Sequence, residues 1–193
     1  MNKNVQGHIF ALTANILWGL MAPIGKSALM EFSALSVTTF RMVGAAACFW
    51  LLSAFCKHEH VDHRDMLKIF FASLFALVFN QGVYIFGLSM TSPIDASIVT
   101  TTLPIVTMII AAIYLKEPIT NLKVLGIFVG AMGALTLILS SQATSNGNSS
   151  IIGDLLCLVA QISFSIYLTV FKSLSQKYSP ITLNKWMFIY ASM

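Results

Sequence analysis

Six stretches of this chain, roughly 8–28, 35–56, 66–90, 93–115, 122–140 and 151–173, run about twenty residues each with at most two charged residues inside. A run of that length crosses a hydrocarbon core of about 30 Å as a helix. A seventh run opens near Thr182 as TLNKWMFIYASM and reaches Met193 after about half a crossing. An apolar half-span ending in mid-bilayer would leave backbone groups unsatisfied, so the chain is expected to be part of something longer. Charge density agrees. Only 9% of the residues are charged, against about 25% in a soluble domain, which is too few to build an aqueous surface. The fold class is therefore an all-α polytopic membrane protein, here with about six and a half helices.

The same scarcity excludes other classes. A net charge of +4, scattered along the chain, suggests no nucleic-acid partner. Cys48, Cys56 and Cys157 lie in or at the ends of apolar runs, with neither metal-ligand spacing nor a loop for a disulfide to close. MNKNVQGH before the first apolar run has the outline of a leader, but no small-x-small cleavage site follows, so the first helix is expected to be retained.

Orientation follows from the basic residues. With a cytoplasmic N-terminus, Lys3, Lys57, Arg64, Lys68, Lys116, Lys123, Lys172, Lys177 and Lys185 fall inside, and only Lys26 falls in an outer connection. Arg41 lies part-way down the second helix. That bias predicts an inside N-terminus in a multi-pass protein of the cell (inner) membrane.

The chain also repeats itself. GHIFALTANILWGLMAPIGKS (7–27) aligns without a gap on GDLLCLVAQISFSIYLTVFKS (153–173), with Gly7/Gly153, Leu12/Leu158, Ala14/Ala160, Ile16/Ile162, Lys26/Lys172 and Ser27/Ser173 identical. The register holds onward, with FSALSVTTF (32–40) on YSPITLNKW (178–186), Ser33 on Ser179 and Phe40 on Trp186. Five crossings separate the copies, an odd number, so they point in opposite directions. An inverted-topology repeat is a common basis for alternating access in secondary transporters. The expected division is a first five-helix repeat at 1–142, an extracytoplasmic linker at 143–150, and the start of a second repeat at 151–193. Completing five plus five would take roughly 105 further residues.

Residues 87–139, GLSMTSPIDASIVTTTLPIVTMIIAAIYLKEPITNLKVLGIFVGAMGALTLIL, combine a short small-residue turn, a mid-helix Pro, a Leu-x-Glu helix end and a Gly-rich helix. With ILWG (16–19) and an Arg early in the second helix, this resembles EamA-type members of the drug/metabolite transporter superfamily. The resemblance implies a ten-helix exporter of metabolites or amino acids with a central cavity; separately, no cofactor is expected.

Candidate site residues come from polar side chains at helical spacing. Asn15 and Gln161 are repeat mates, each an amide that needs a partner in lipid. They either bind substrate, a small molecule, or knit helices together. Asn80, Gln81 and Tyr84 share a face of the third span. Thr100 and Thr101 lie near Pro104, while Ser165 follows Gln161 by one turn and Trp18 stands ready to wall a cavity. Pro104 and Pro23 lack N–H groups and release the carbonyls of Thr100 and Gly19, the kind of helix break that builds sites in carriers or serves as a packing kink. Arg41 and Asp95 are expected as an ion pair or outer gate, with direct contact to an anion a further option. Gly126, Gly130 and Gly133 share one face and permit close helix contact, within the fold or in a homodimer.

HEHVDHRD (58–65) gathers three imidazoles and three carboxylates, yet mixed charges are what a short cytoplasmic return loop carries anyway, so no metal is expected. Two functions remain. The first is a secondary transporter, by expectation an exporter of small metabolites such as amino acids. With no carboxylate near mid-span, it favours neutral, zwitterionic or anionic cargo. The second is a non-transporting assembly subunit or a membrane-embedded enzyme. Neither HExxH nor a Ser/His/Asp arrangement supports catalysis, and the reading is not an enzyme.

Overall fold

A computed structural model describes residues 3–56, 59–116, 120–144 and 150–193, and the regular structure within them is helical. The elements are α1 (Lys3–Glu31), α2 (Ala34–Ala54), α3 (His63–Ser73), a π-helical segment (Leu74–Gly82), α4 (Val83–Met90), α5 (Pro93–Thr100), α6 (Leu103–Tyr114), α7 (Asn121–Thr144), α8 (Ile151–Val170), α9 (Lys172–Lys177) and α10 (Pro180–Ser192). Among the described residues, five helical stretches are long and apolar enough to cross a membrane: Val5–Glu31, Ala34–Ala54, His63–Met90, Pro93–Tyr114 and Ile151–Val170. The run expected at 122–140 lies on α7, whose 24 residues give a length of about 36 Å.

Three spans depart from single straight helices. The third is α at both ends and π over nine residues in the middle, where bonding shifts to i→i+5 and the turn widens. The fourth breaks between α5 and α6. There the N–H groups of Thr101 and Thr102 donate to Ile98 and Val99 carbonyls at 3.0 Å each, an i→i+3 tightening just ahead of Pro104. The sixth ends at Val170, and α9 follows as a separate short helix. Pro23, by contrast, stays inside a continuous α1. Its missing N–H removes the intrahelical donor that the Gly19 carbonyl would have had.

Packing centres on α8, which lies against the π segment, α4, α5 and α6, while α10 lies along α2 and α3. Two buried clusters result. One joins Met42, Ile69, Ala72, Ala76, Leu77, Leu174, Tyr178, Leu183 and Met187. The other joins Val37, Tyr84, Ile85, Leu88, Ala96, Val99, Cys157 and Ala160. Outward-facing Phe10, Phe40, Leu51, Ile113 and Leu122 are exposed, as lipid-facing positions of a membrane bundle are.

The 146-residue register recurs in local geometry. Ser33 and Ser179 are N-caps of α2 and α10, with φ/ψ of −65/154 and −62/148. Each hydroxyl accepts from the backbone N–H three residues on, at Ser36 (3.2 Å) and at Thr182 (3.3 Å). That interaction satisfies one of the donors a helix start leaves open. The mates differ in setting, however. Val5–Leu20 of α1 is exposed at every position, whereas α8 buries Gly153, Cys157, Ala160, Gln161, Ser163, Ser165 and Thr169.

Candidate functional site

Between the two buried clusters lies a cavity of about 480 Å³. Its walls hold Asn15, Trp18 and Gly19 of α1, Arg41 of α2, Asn80 and Gln81 of the π segment, Tyr84 of α4, Ser97 and Thr100 of α5, and Gln161 and Phe164 of α8, with apolar Leu17, Met21, Ala22, Ala76 and Leu103 between them. Ala76 belongs to one cluster and Tyr84 to the other, so packed side chains flank the cavity at both ends. The π segment sets Asn80 and Gln81 side by side on the wall, between Ala76 one way and Tyr84 the other.

The structure therefore brings together Asn15, Trp18, Asn80, Gln81, Tyr84, Thr100, Gln161 and Arg41. Asn15 donates its Nδ2 to the Ala11 carbonyl of its own helix at 2.8 Å, which leaves Oδ1 as the acceptor it can offer. Gln161 is buried. Trp18 meets Phe164 edge to face, ring centroids 6.3 Å apart, and forms an apolar corner. Gly19, whose carbonyl Pro23 frees, is in the wall, as is Thr100, the residue four before Pro104.

Two candidates are placed elsewhere. Thr101 donates to the Ile98 carbonyl at 2.7 Å. Ser165 is fully buried, donates to the Gln161 carbonyl at 2.8 Å and meets the Thr107 hydroxyl at 2.9 Å, where α6 packs on α8. Neither lines the cavity. Arg41 also differs from the expected pairing. Its Nη2 donates to Gln81 Oε1 at 2.8 Å and approaches Met21 Sδ at 3.6 Å. Asp95 accepts from the Ser92 hydroxyl at 2.7 Å at the start of α5. The ion pairs among the described residues are Lys68–Asp65, Lys177–Asp62 and Lys177–Asp65, without one from Arg41. Among the described residues, Gly126 and Gly133 have no heavy atom within 4 Å of a built Cβ, and Gly130 has Ile105 Cδ1 at 3.5 Å.

Each flank of the cavity carries a polar clasp that the sequence reading missed. At one end the HEHVDHRD loop, expected only to return the chain to the membrane, receives the α9–α10 corner. Lys177 Nζ reaches Asp62 Oδ2 at 2.5 Å and Asp65 Oδ2 at 2.6 Å. The Tyr178 hydroxyl donates to Asp65 Oδ2 at 2.9 Å, and the Ser179 N–H donates to Glu59 Oε2 at 3.0 Å. The hydrogen bond from Lys177 holds the Asp62 carboxyl below its ordinary range, and the same bond raises the Lys177 ammonium. Glu59 is lowered chiefly by the Ser179 N–H. At the other end Lys26 Nζ donates to the carbonyls of Leu88, Ser89 and Thr91 at 2.8, 3.2 and 2.7 Å, satisfying acceptors that the end of α4 leaves open. There Thr91 also donates to Asp154 Oδ1. Part of LKEP, His58 of the charged loop, and 145–149 of the linker lie outside the described residues.

Comparison with known proteins adds identity to the geometry. The sequence matches the EamA-like transporter family over residues 5–139. It is 29% identical over 185 residues to an uncharacterized transporter of Archaeoglobus fulgidus, covering 96% of this chain and 64% of that protein. It is 27% identical over 169 residues to the uncharacterized transporter YyaM of Bacillus subtilis, covering 86% of this chain and 55% of that one. A WAT1-related protein of Arabidopsis thaliana is 30% identical over 100 residues, 49% of this chain and 25% of the plant protein. The chain thus spans less than two thirds of the length of these relatives. No solved structure matches it.

Proposed function

The chain belongs to the EamA-like transporter family, and from that premise we propose that it works in a secondary transporter that moves small metabolites, amino acids among them, out of the cell. The observation that carries this reading is that Asn15 and Gln161, mates under the 146-residue register, stand in the wall of one cavity. Two inverted copies that share a polar pocket are what alternating access requires: the halves rock about a site that belongs to both. The repeats take the bounds 1–142 and 151–193, with 143–150 between them. The cavity's volume is in the range of small-ligand sites, and its amides and hydroxyls offer both donors and acceptors to cargo.

Orientation completes the reading. The basic residues put the N-terminus in the cytoplasm, so the Lys177–Asp62–Asp65 clasp faces the cytoplasm and the Lys26 and Thr91–Asp154 contacts face outward. Arg41 enters from the outer side. Exposed α1 fits the same scheme. Its mate α8 is covered by α4, α5 and α6, and in the inverted arrangement the second repeat supplies α1 with the equivalent neighbours.

Transport by the complete protein in proteoliposomes tests the proposal. Counterflow of radiolabelled amino acids is expected, and it is expected to fall severalfold in Gln161→Ala and Asn15→Ala while both variants elute as folded protein. Undiminished transport in both variants would remove the cavity from the transport path.

A further inference from the structure

Among the described residues, Arg41 is the one lining the cavity that carries a permanent charge. It lies seven residues beyond Ala34, the start of α2, so its Cα is about 10 Å along the helix from that end. A cation at such a depth is costly unless paired or wet. Its described side-chain partners, the Gln81 carbonyl oxygen and the Met21 sulfur, are both neutral. Among the described residues the wall contains no Asp or Glu. The described aspartates have their own partners: Asp62 and Asp65 hold Lys177, Asp154 accepts from Thr91, and Asp95 accepts from Ser92.

A guanidinium has five N–H donors in a planar fork, and the bond to Gln81 uses one nitrogen. The fork matches the two oxygens of a carboxylate or phosphate, and that match supplies the compensating charge that the protein withholds. Around Arg41 the remaining polar groups are neutral: Gln81 and Asn80 next to each other on the π segment, then Asn15, Gln161, Thr100 and Ser97. The corner made by Trp18 and Phe164 is apolar.

We propose that the cavity takes a small organic anion or zwitterion whose oxyanion group, a carboxylate or a phosphate, docks on Arg41 and displaces Gln81 as its partner. The neutral remainder of the cargo lies against the amides and the Trp18–Phe164 corner. This rests on the reading of the cavity as the transport site and adds the class of cargo it selects. Gln81 acts as a place-holder: its amide oxygen accepts one guanidinium hydrogen bond without neutralising the charge, so a full anion competes favourably.

The test is binding to the complete protein purified in lipid nanodiscs, measured by equilibrium dialysis. The probes are radiolabelled alanine, succinate and benzoate, each against its own amide, together with inorganic phosphate. At least one anion is expected to bind saturably, and an amide of the same skeleton about tenfold or more weakly, the scale of a charge-assisted hydrogen bond. Arg41→Gln is expected to lose about tenfold or more, and Arg41→Lys less, because an ammonium keeps charge without the fork. Gln81→Glu retains Arg41 but sets a carboxylate against it, and is expected to lose as much as Arg41→Gln. That variant keeps the question answerable if Arg41→Gln does not fold. Phosphate binding in preference to every carboxylate would support the inference and assign the oxyanion to a phosphate ester. Amides that bind as well as the acids, or a wild-type chain that binds no anion, would overturn it. Gln161→Ala separates the two levels of the argument. Binding lost in Gln161→Ala but kept in Arg41→Gln and Gln81→Glu refutes the anion and leaves the cavity as the site. Binding unchanged in all three refutes both.

Discussion

Gly87→Ala is the sharpest test of how the helices meet, because one methyl group has nowhere to go. A Cβ built on Gly87 of α4 falls 2.7 Å from the Gly153 carbonyl oxygen, 2.8 Å from Cys157 Sγ and 3.0 Å from Cys157 N on α8. The reverse substitution meets the same obstruction: a Cβ on Gly153 lies 2.9 Å from the Gly87 carbonyl oxygen, 2.9 Å from Thr91 Cβ and 3.0 Å from the Met90 carbonyl carbon. Comfortable carbon contacts lie at about 3.5–4.0 Å, so the helices must part by roughly 0.5–1 Å. Most of the obstructing atoms are backbone and have no alternative rotamer. Overpacking of this kind costs about 1–3 kcal/mol, while alanine returns about 0.5–1 kcal/mol of backbone entropy in a helix interior. The net expectation for Gly87→Ala, and for Gly153→Ala, is a loss of about 1–2 kcal/mol. Gly7, the repeat mate of Gly153, has nothing within 4 Å among the described residues, so within the chain of residues 1–193 Gly7→Ala should collect the entropic gain and be neutral or slightly stabilising. Equilibrium unfolding of the purified protein in mixed micelles measures all three. Stability of Gly87→Ala and Gly153→Ala at or above wild type would refute the close backbone crossing. Tyr84 is one turn from Gly87, and Gln161 one turn from Cys157, so parting α4 from α8 should also widen the cavity they both line.

The clasp between the charged loop and the α9–α10 corner should depend on pH at both extremes. Asp62, lowered by Lys177, contributes stability that is complete above its unfolded value of about 3.9 and is lost as pH falls through the lower folded value. Lys177, raised by Asp62 and Asp65, contributes fully below its unfolded value of about 10.4 and loses that contribution as pH rises through the higher folded value. Hydrogen exchange at the start of α10, corrected for intrinsic rate, should therefore be slowest between about pH 4 and pH 10, and a flat profile across pH 3 to 11 would count against the clasp. Lys26→Met should leave the carbonyls of Leu88, Ser89 and Thr91 without their ammonium and cost about 0.3–1 kcal/mol, as lost helix-end cations do. Faster local exchange over 88–92 is the expected readout, and unchanged exchange there would contradict the contact.

Which of these features the sequence disclosed, and which it concealed, follows from how a polar side chain can be satisfied in lipid. Span positions were legible because apolar length is a property of the segment alone. The serine caps at Ser33 and Ser179 were legible as aligned residues for the same reason. Broken spans were partly legible: Pro104 marks the α5–α6 break, but no proline or sequence repeat announces the π segment from Leu74 to Gly82, whose register depends on what packs against it. Hydroxyls misled. Thr101 and Ser165 sit at plausible spacing, yet a threonine or serine in a helix always has a carbonyl within reach on its own backbone, at Ile98 and Gln161 here, so its presence says little about a ligand. Amides are intermediate, since Asn15 can satisfy its donor on Ala11 and still hold an acceptor outward. A guanidinium has no such refuge. It has no acceptor to give, its charge cannot be met by a backbone carbonyl of its own turn, and it must face a partner, water or cargo. The informative residue in a membrane helix is thus the one least able to satisfy itself. That is why Arg41, whose expected partner was Asp95 and whose observed partner is neutral Gln81, says more about the cargo than the hydroxyls of Thr101 and Ser165.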